Sequence, residues 1–231
     1  MLTTLTGLGL ASAAGLNAYI PLLLVGLLAR FTDLVPLGES WQWIEHPATL
    51  VVLTVLLVVE FAADKIPAVD SFNDVLQTVV RPTSGGITFG AGASAVEIGE
   101  ITGAASGAAA GGDGVSWWAV VAGVVVSLAF HAVKSLARPV ANSVSLGCAA
   151  PVASFLEDAV SFVTSLLALL VPVLVLVVFP LMVVGGVWAV RRGRRLRRER
   201  REARDTERQG ADSDTWTGAD GAGPAGEHRP G

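Results

Sequence analysis

The sequence predicts an all-α, polytopic transmembrane helical bundle of about five spans, six with a re-entrant segment, built on an internal two-fold repeat. Three observations lead there. Of 231 residues 52% are hydrophobic and only 16% charged, with a mean hydropathy of +0.60, whereas soluble domains carry roughly 25% charged residues. Apolar runs recur along the chain at the length of a membrane crossing. The sequence also resembles itself at a shift of 69 residues. An ordinary soluble globular domain is thereby excluded. A single cysteine, Cys148, excludes an intrachain disulfide framework and a multi-cysteine metal site.

In a window of about 19 residues the runs are 7–29, 47–63, 85–111, 115–132 and 160–190. The first contains Ala11-Ser12-Ala13, which looks like a leader cleavage site, but no positive charge precedes it, so a retained helix is expected. Trp41 and Trp43 before the second run, Trp117 and Trp118 at the fourth, and Trp188 near the end suit indole anchors at headgroup level. In the third run Gly99, Gly103, Gly107 and Gly111, preceded by Ala91 and Ala95, form a small-residue stripe expected to pack against another helix. The last run is longer than a bilayer requires and contains Pro172 and Pro180, so it is expected to tilt or kink. Eight arginines follow at 191–201, a stop-transfer anchor that places this end in the cytoplasm. Up to residue 190 the chain has five basic and twelve acidic groups; beyond it, eleven basic and eight acidic. Residues 1–190 are therefore read as the membrane domain, with repeat halves at 7–82 and 85–151 and a final helix at 159–190. Residues 191–231 are read as a basic tail, disordered from Ala203 onward because almost nothing in it can be buried.

The repeat aligns 51–82 with 120–151 and ten positions coincide, among them Phe61 with Phe130, Lys65 with Lys134, Asn73 with Asn142 and Pro82 with Pro151. The chain has fourteen arginines and two lysines, and those two lysines are the repeat-equivalent pair. A compact ammonium, not a guanidinium fork, is wanted at both places. Repeats are common in transporters, where discontinuous helices build the site at the repeat interface. With five simple spans the repeat is parallel; an inverted one needs a further crossing. The candidate is 67–80, a helical pattern whose Ser71 and Asp74 form a Ser-x-x-Asp start.

Polar residues cluster where membrane segments end. Glu60 and Asp64 share a helix face, Lys65 lies one position round, and Pro67 and Asp70 follow. Charges at the bilayer centre cost about 2.5–3.5 kcal/mol each, so these must pair, meet water or snorkel. In the second half His131, Lys134 and Arg138 stack on one face, with Asn142 beyond. Cross-repeat ion pairs of Glu60 or Asp64 with Lys134 or Arg138 are expected, and His131 suits either a proton relay or a structural bond. Glu97 and Glu100 need partners or a cavity if their segment spans. No nucleotide-binding, nucleophile or metal-ligand motif is present. No enzyme is therefore nominated, and neither cofactor nor metal is expected.

The stretches Gly15-Leu16-Asn17-Ala18-Tyr19-Ile20-Pro21-Leu22, Val59-Glu60-Phe61-Ala62-Ala63-Asp64-Lys65-Ile66-Pro67-Ala68-Val69-Asp70-Ser71, Gln77-Thr78-Val79-Val80-Arg81-Pro82, His131-Ala132-Val133-Lys134 with Arg138-Pro139, and Ser154-Phe155-Leu156-Glu157-Asp158 together resemble a bacterial membrane family, domain of unknown function 4126. The resemblance covers roughly residues 5–190. It implies that these polar motifs are family features, which adds Asn17, Tyr19 and Pro21 to the candidate site, and with them Arg81, Glu157 and Asp158. The Glu60 to Lys65 run also resembles the Glu-x-Gly-Asp-Lys signature of two-repeat cation/proton exchangers, with an extra residue intervening and no equivalent acid in the second half.

The expectation is a small transporter or permease of the bacterial plasma membrane, multi-pass, moving a small ion or polar solute. Its alternative is a membrane scaffold or lipid-handling protein whose charges form structural interfacial pairs. Expected partners are the bilayer, anionic lipid at the arginine-rich tail and the transported ion or solute, with a homo-oligomer left open and no nucleic acid.

Overall fold

The structure is a computed structural model describing residues 1–63, 67–100, 115–144 and 149–188, with 190–192, 194–195, 198–199 and 202 beyond them; side chains are described at 1–63, 76–95, 115–135, 154–188 and those later positions. The chain divides into two units, Met1–Val190 and Arg191–Gly231, and the first carries the bundle. The tail read as disordered from Ala203 lies outside the described residues.

Every regular element among the described residues is helical. In order they are α1 (Leu2–Leu16), α2 (Tyr19–Phe31), a short 3-10 helix (Glu39–Glu45), α3 (Pro47–Ala63), α4 (Pro67–Glu100), α5 (Trp117–Val144) and α6 (Ala149–Leu170). The last, α7 (Pro172–Arg192), opens with a 3-10 turn at Pro172–Leu174. Two helices, Trp117–Ser135 within α5 and α7, are long and apolar enough to cross a membrane, and a third span results if the 3-10 helix and α3, bent by 58°, count as one.

Helix α1 is the hub, packed against α4, α5 and α6. Its composition permits this: Gly7, Gly9, Ala11, Ser12, Ala13, Ala14 and Gly15 are buried and let neighbouring backbones come close. A Cβ at Gly15 would lie 2.7 Å from the Ser127 carbonyl, and one at Gly85 2.8 Å from the Gly123 carbonyl, so α1 touches α5 and α4 touches α5 almost backbone to backbone. The outward surface is apolar: Val51, Val52, Val55, Val58 and Val59 of α3, Val121 and Val125 of α5, and Leu176, Val177, Leu181 and Val184 of α7 are exposed. Charged Glu60, Arg81 and Lys134 are inside. That is the reverse of a soluble protein's distribution and is compatible with a membrane protein.

Several expected elements differ. The run 7–29 is two helices, not one span. The 67–80 segment and the third run as far as Glu100 join in one helix, α4, which continues through Pro82. Pro67 takes its first position, where the missing N–H costs nothing, in place of the expected Ser71 start. Pro82 has no N–H for the Thr78 carbonyl, yet the helix continues; beside it Thr83 Oγ1 donates to the Val79 carbonyl at 2.8 Å and Ser127 Oγ of α5 to the Arg81 carbonyl at 2.7 Å. The final run breaks completely at Val171, separating α6 from α7. Trp41 is buried against Gly90 and does not anchor at a surface, while Trp43, Trp117, Trp118 and Trp188 are exposed. Element boundaries do not follow the repeat: α3 ends at Ala63 and α4 passes Pro82, whereas the equivalent second-half stretch is one helix through Val144, followed by α6 from Ala149. Of the small-residue stripe, Ala91 and Ala95 are buried. Gly99 is helical, and Gly103, Gly107 and Gly111 lie outside the described residues.

Candidate functional site

The site begins with a helix that stops inside the bundle. Helix α1 is about 22 Å long and α2 about 20 Å, each shorter than the roughly 30 Å of a bilayer's hydrocarbon. Between them Asn17 is extended, at φ −140° and ψ 125°. Pro21, the third residue of α2, explains the break. It has no N–H to give the Asn17 carbonyl, and its ring would clash with that carbonyl in a continuous helix. The Asn17 side chain then starts α2 by accepting from the Tyr19 and Ile20 N–H groups at 3.0 and 3.2 Å. Its Nδ2 donates to Asp158 Oδ1 of α6 at 2.9 Å.

A terminated helix leaves carbonyls without intrahelical donors, and buried carbonyls must find others. Around the break Ser161 Oγ of α6 donates to the Ala13 carbonyl at 3.0 Å, which also accepts from the Asn17 N–H, and Ser84 Oγ of α4 donates to the Ala18 carbonyl at the start of α2. The last two carbonyls of α1 are supplied by cations of α4 and α5. Arg81 Nη1 donates to the Gly15 carbonyl at 3.1 Å and also to that of Leu16. Lys134 Nζ of α5 donates to the same Leu16 carbonyl at 2.9 Å. Two cations thus meet on one oxygen at the negative end of the α1 dipole, where positive charge is favoured.

Each cation has a carboxylate. Arg81, 1% exposed, gives Nη2 to Glu60 Oε1 of α3 at 3.0 Å and Nε to Gln77 Oε1 at 3.1 Å. Lys134, 5% exposed, lies 2.6 Å from Glu157 Oε2 of α6. The two pairs balance to zero, as buried charges require. Glu157 is the member nearest the surface, its side chain 23% exposed. One turn before Lys134, buried His131 places Nε2 3.3 Å from Thr78 Oγ1 and 3.5 Å from Ser135 Oγ, joining α5 to α4. Tyr19 is half-buried at the start of α2, within the electrostatic reach of Glu60 and Arg81.

Among the sequence-nominated residues, the structure therefore gathers Asn17, Glu60, Arg81, Lys134, Glu157 and Asp158 at the α1–α2 break, with Tyr19 and His131 flanking them. The ion pairs at the break are Glu60 with Arg81 and Lys134 with Glu157; of the cross-repeat pairs expected, of Glu60 or Asp64 with Lys134 or Arg138, those through Asp64 or Arg138 lie outside the described residues. Asp64 and Lys65 lie outside the described residues. Asp70, Asn73, Glu97 and Glu100 are in α4 and Arg138 and Asn142 in α5, with side chains outside the described residues. Sequence reasoning missed the hydroxyls of Ser84, Ser127 and Ser161, which carry no motif. It also missed the break itself, for which Gly15, Asn17 and Pro21 were the available signal.

Residues 4–192 match a family model described as Domain of unknown function (DUF4126), and the chain belongs to that family. No curated protein and no solved structure matches the chain.

Proposed function

We propose that this member of the DUF4126 family is a small multi-pass transporter or permease of the bacterial plasma membrane, with its tail in the cytoplasm, that moves a small ion or polar solute through the α1–α2 break. The observation that carries this reading is the sharing of the Leu16 carbonyl by Arg81 and Lys134. Half-helix ends buried beside ionisable groups are how transporters make substrate and ion sites within a bilayer. A polar centre of two cations, three carboxylates and a helix end is costly to bury, and function is the common reason for keeping one. The substrate enters, on this reading, when the Lys134–Glu157 pair opens, because Glu157 faces outward and Arg81 is locked on four acceptors.

A second reading, a non-transporting scaffold, is favoured by the pairing of both buried cations with carboxylates, Arg81 with Glu60 and Lys134 with Glu157. The two separate in reconstituted vesicles. Light-scattering swelling is followed in isosmotic formate, acetate, nitrate, phosphate and neutral polyol solutions. Transport requires swelling faster than in protein-free vesicles for at least one solute, lost when Lys134→Met and Glu157→Gln neutralise the pair without leaving a lone charge. Rates equal to protein-free vesicles across the panel sink the transport reading and leave the scaffold.

A further inference from the structure

Carbonyls at the end of a half-helix normally attract a mobile cation, because the helix end carries about half a negative charge and its oxygens lack donors. In transporters with broken helices such carbonyls hold sodium ions or protons. The α1 end carries more negative charge than its dipole alone, since the Glu157 carboxylate lies beside it. Yet the position is filled by the chain. Lys134 Nζ reaches the Leu16 carbonyl at 2.9 Å and Glu157 Oε2 at 2.6 Å, and its side chain is 3% exposed. A protonated lysine is a compact monovalent charge on a flexible stem, the closest a side chain comes to an alkali-metal ion. Arg81 is different in kind. Its planar fork is fixed by Gln77, Gly15, Leu16 and Glu60, and it neutralises Glu60.

We propose that the Lys134 ammonium is a tethered cation occupying, on the Leu16 carbonyl and the Glu157 carboxylate, the place of a free sodium or potassium ion. The site consequently operates without an alkali-metal ion. Removing the ammonium while leaving both oxygen groups creates a monovalent-cation site. This rests on the reading of the break as a solute site for its meaning in transport, but its test is a binding measurement that needs no flux.

The full-length protein is purified in detergent as wild type, Lys134→Ala and Lys134→Ser, the serine adding a hydroxyl oxygen to the vacated space. Thermal unfolding is followed in sodium chloride, potassium chloride and choline chloride at equal ionic strength. Wild type is expected to melt at the same temperature in all three. The variants are expected to melt higher in sodium or potassium than in choline, by roughly 3 °C or more at about ten times the dissociation constant. A variant that folds only in an alkali-metal salt also supports the proposal. It is overturned if wild type shows sodium- or potassium-specific stabilisation, or if neither variant distinguishes these ions from choline. Unfolding of both variants in every salt overturns it too, because a vacated site that takes no cation leaves Glu157 without its counter-charge. Swelling activity with no ion effect in the variants would dismiss the tethered cation and keep the transporter. An ion effect without swelling would do the reverse.

Discussion

Arg81 of α4 and Lys134 of α5 donate to the same oxygen, the Leu16 carbonyl, where α1 stops. Two like charges converge there because each brings its own carboxylate, Glu60 and Glu157, and because the helix end itself is negative. The charge balance at the bundle's central break rests on these four side chains, which come from α3, α4, α5 and α6. Their removal, singly and in pairs, separates the contributions.

Arg81→Met takes the guanidinium from the Glu60 carboxylate, which is 3% exposed. Loss of one partner of a buried pair costs about 3–5 kcal/mol, while replacing both partners by apolar groups is often neutral. Denaturant unfolding of the purified protein should show Arg81→Met strongly destabilised and the combination with Glu60→Leu recovering most of the loss. The recovery is incomplete to the extent that the Gly15 and Leu16 carbonyls lose their donors.

Lys134→Arg keeps the charge and enlarges the head group. The fork cannot occupy the space of an ammonium between Leu16 and Glu157 without displacing one of them, and overpacking costs about 1–3 kcal/mol. A melting temperature lower than wild type is expected, and equality would show that the site is roomier than described.

At Asn17 the two ends of one amide do different work. Asn17→Ala removes the cap of α2, worth about 1 kcal/mol, and the donor to Asp158. Asn17→Asp retains the acceptor for Tyr19 and Ile20 but sets a second carboxylate against Asp158. Unfolding measurements should therefore rank Asn17→Ser nearest to wild type, with Asn17→Asp falling below it despite its equally good capping oxygen.

The α4–α5 contact can be tested by volume alone. A Cβ at Gly85 or Gly123 meets backbone of the opposing helix, whereas one at Gly185 in α7 meets nothing within 4 Å. Gly85→Val and Gly123→Val are expected to cost about 1–3 kcal/mol or more, and Gly185→Ala to stay within about 0.5 kcal/mol of wild type. Circular dichroism melts of the three variants make the comparison.

Much of the site was legible in the sequence because buried charge in an apolar chain is conspicuous. Glu60, His131 and Lys134 follow from that argument, and Asn17, Arg81, Glu157 and Asp158 from the family resemblance. Their pairing was not legible. Helical spacing relates residues within an element, and the Arg81–Glu60 and Lys134–Glu157 contacts are made between elements. The run 7–29 reads as one span because its hydropathy is continuous across Asn17, although Pro21 forbids the hydrogen bond that continuity needs. The opposite occurs at Pro82, where α4 continues past a residue that usually ends a helix. Tight packing was expected at 99–111 from its spacing. That stretch lies outside the described side chains; among the described residues close packing occurs at Gly7, Gly15, Gly85 and Gly123, which share no single periodicity because they lie on three helices.

The central claim is that the α1–α2 break opens to water. Ala18 is fully buried there, and Ala14, one turn earlier in α1, is equally buried in the core. With Cys148 replaced by Ser, single cysteines at Ala18, Ala14 and exposed Trp43 are treated in cells and in inverted vesicles with a membrane-impermeant methanethiosulfonate. Opening requires modification at Ala18 within minutes and none at Ala14. An Ala18→Cys protein as inert as Ala14→Cys, alongside a modified Trp43→Cys control, would contradict the account and leave the charges a structural lock.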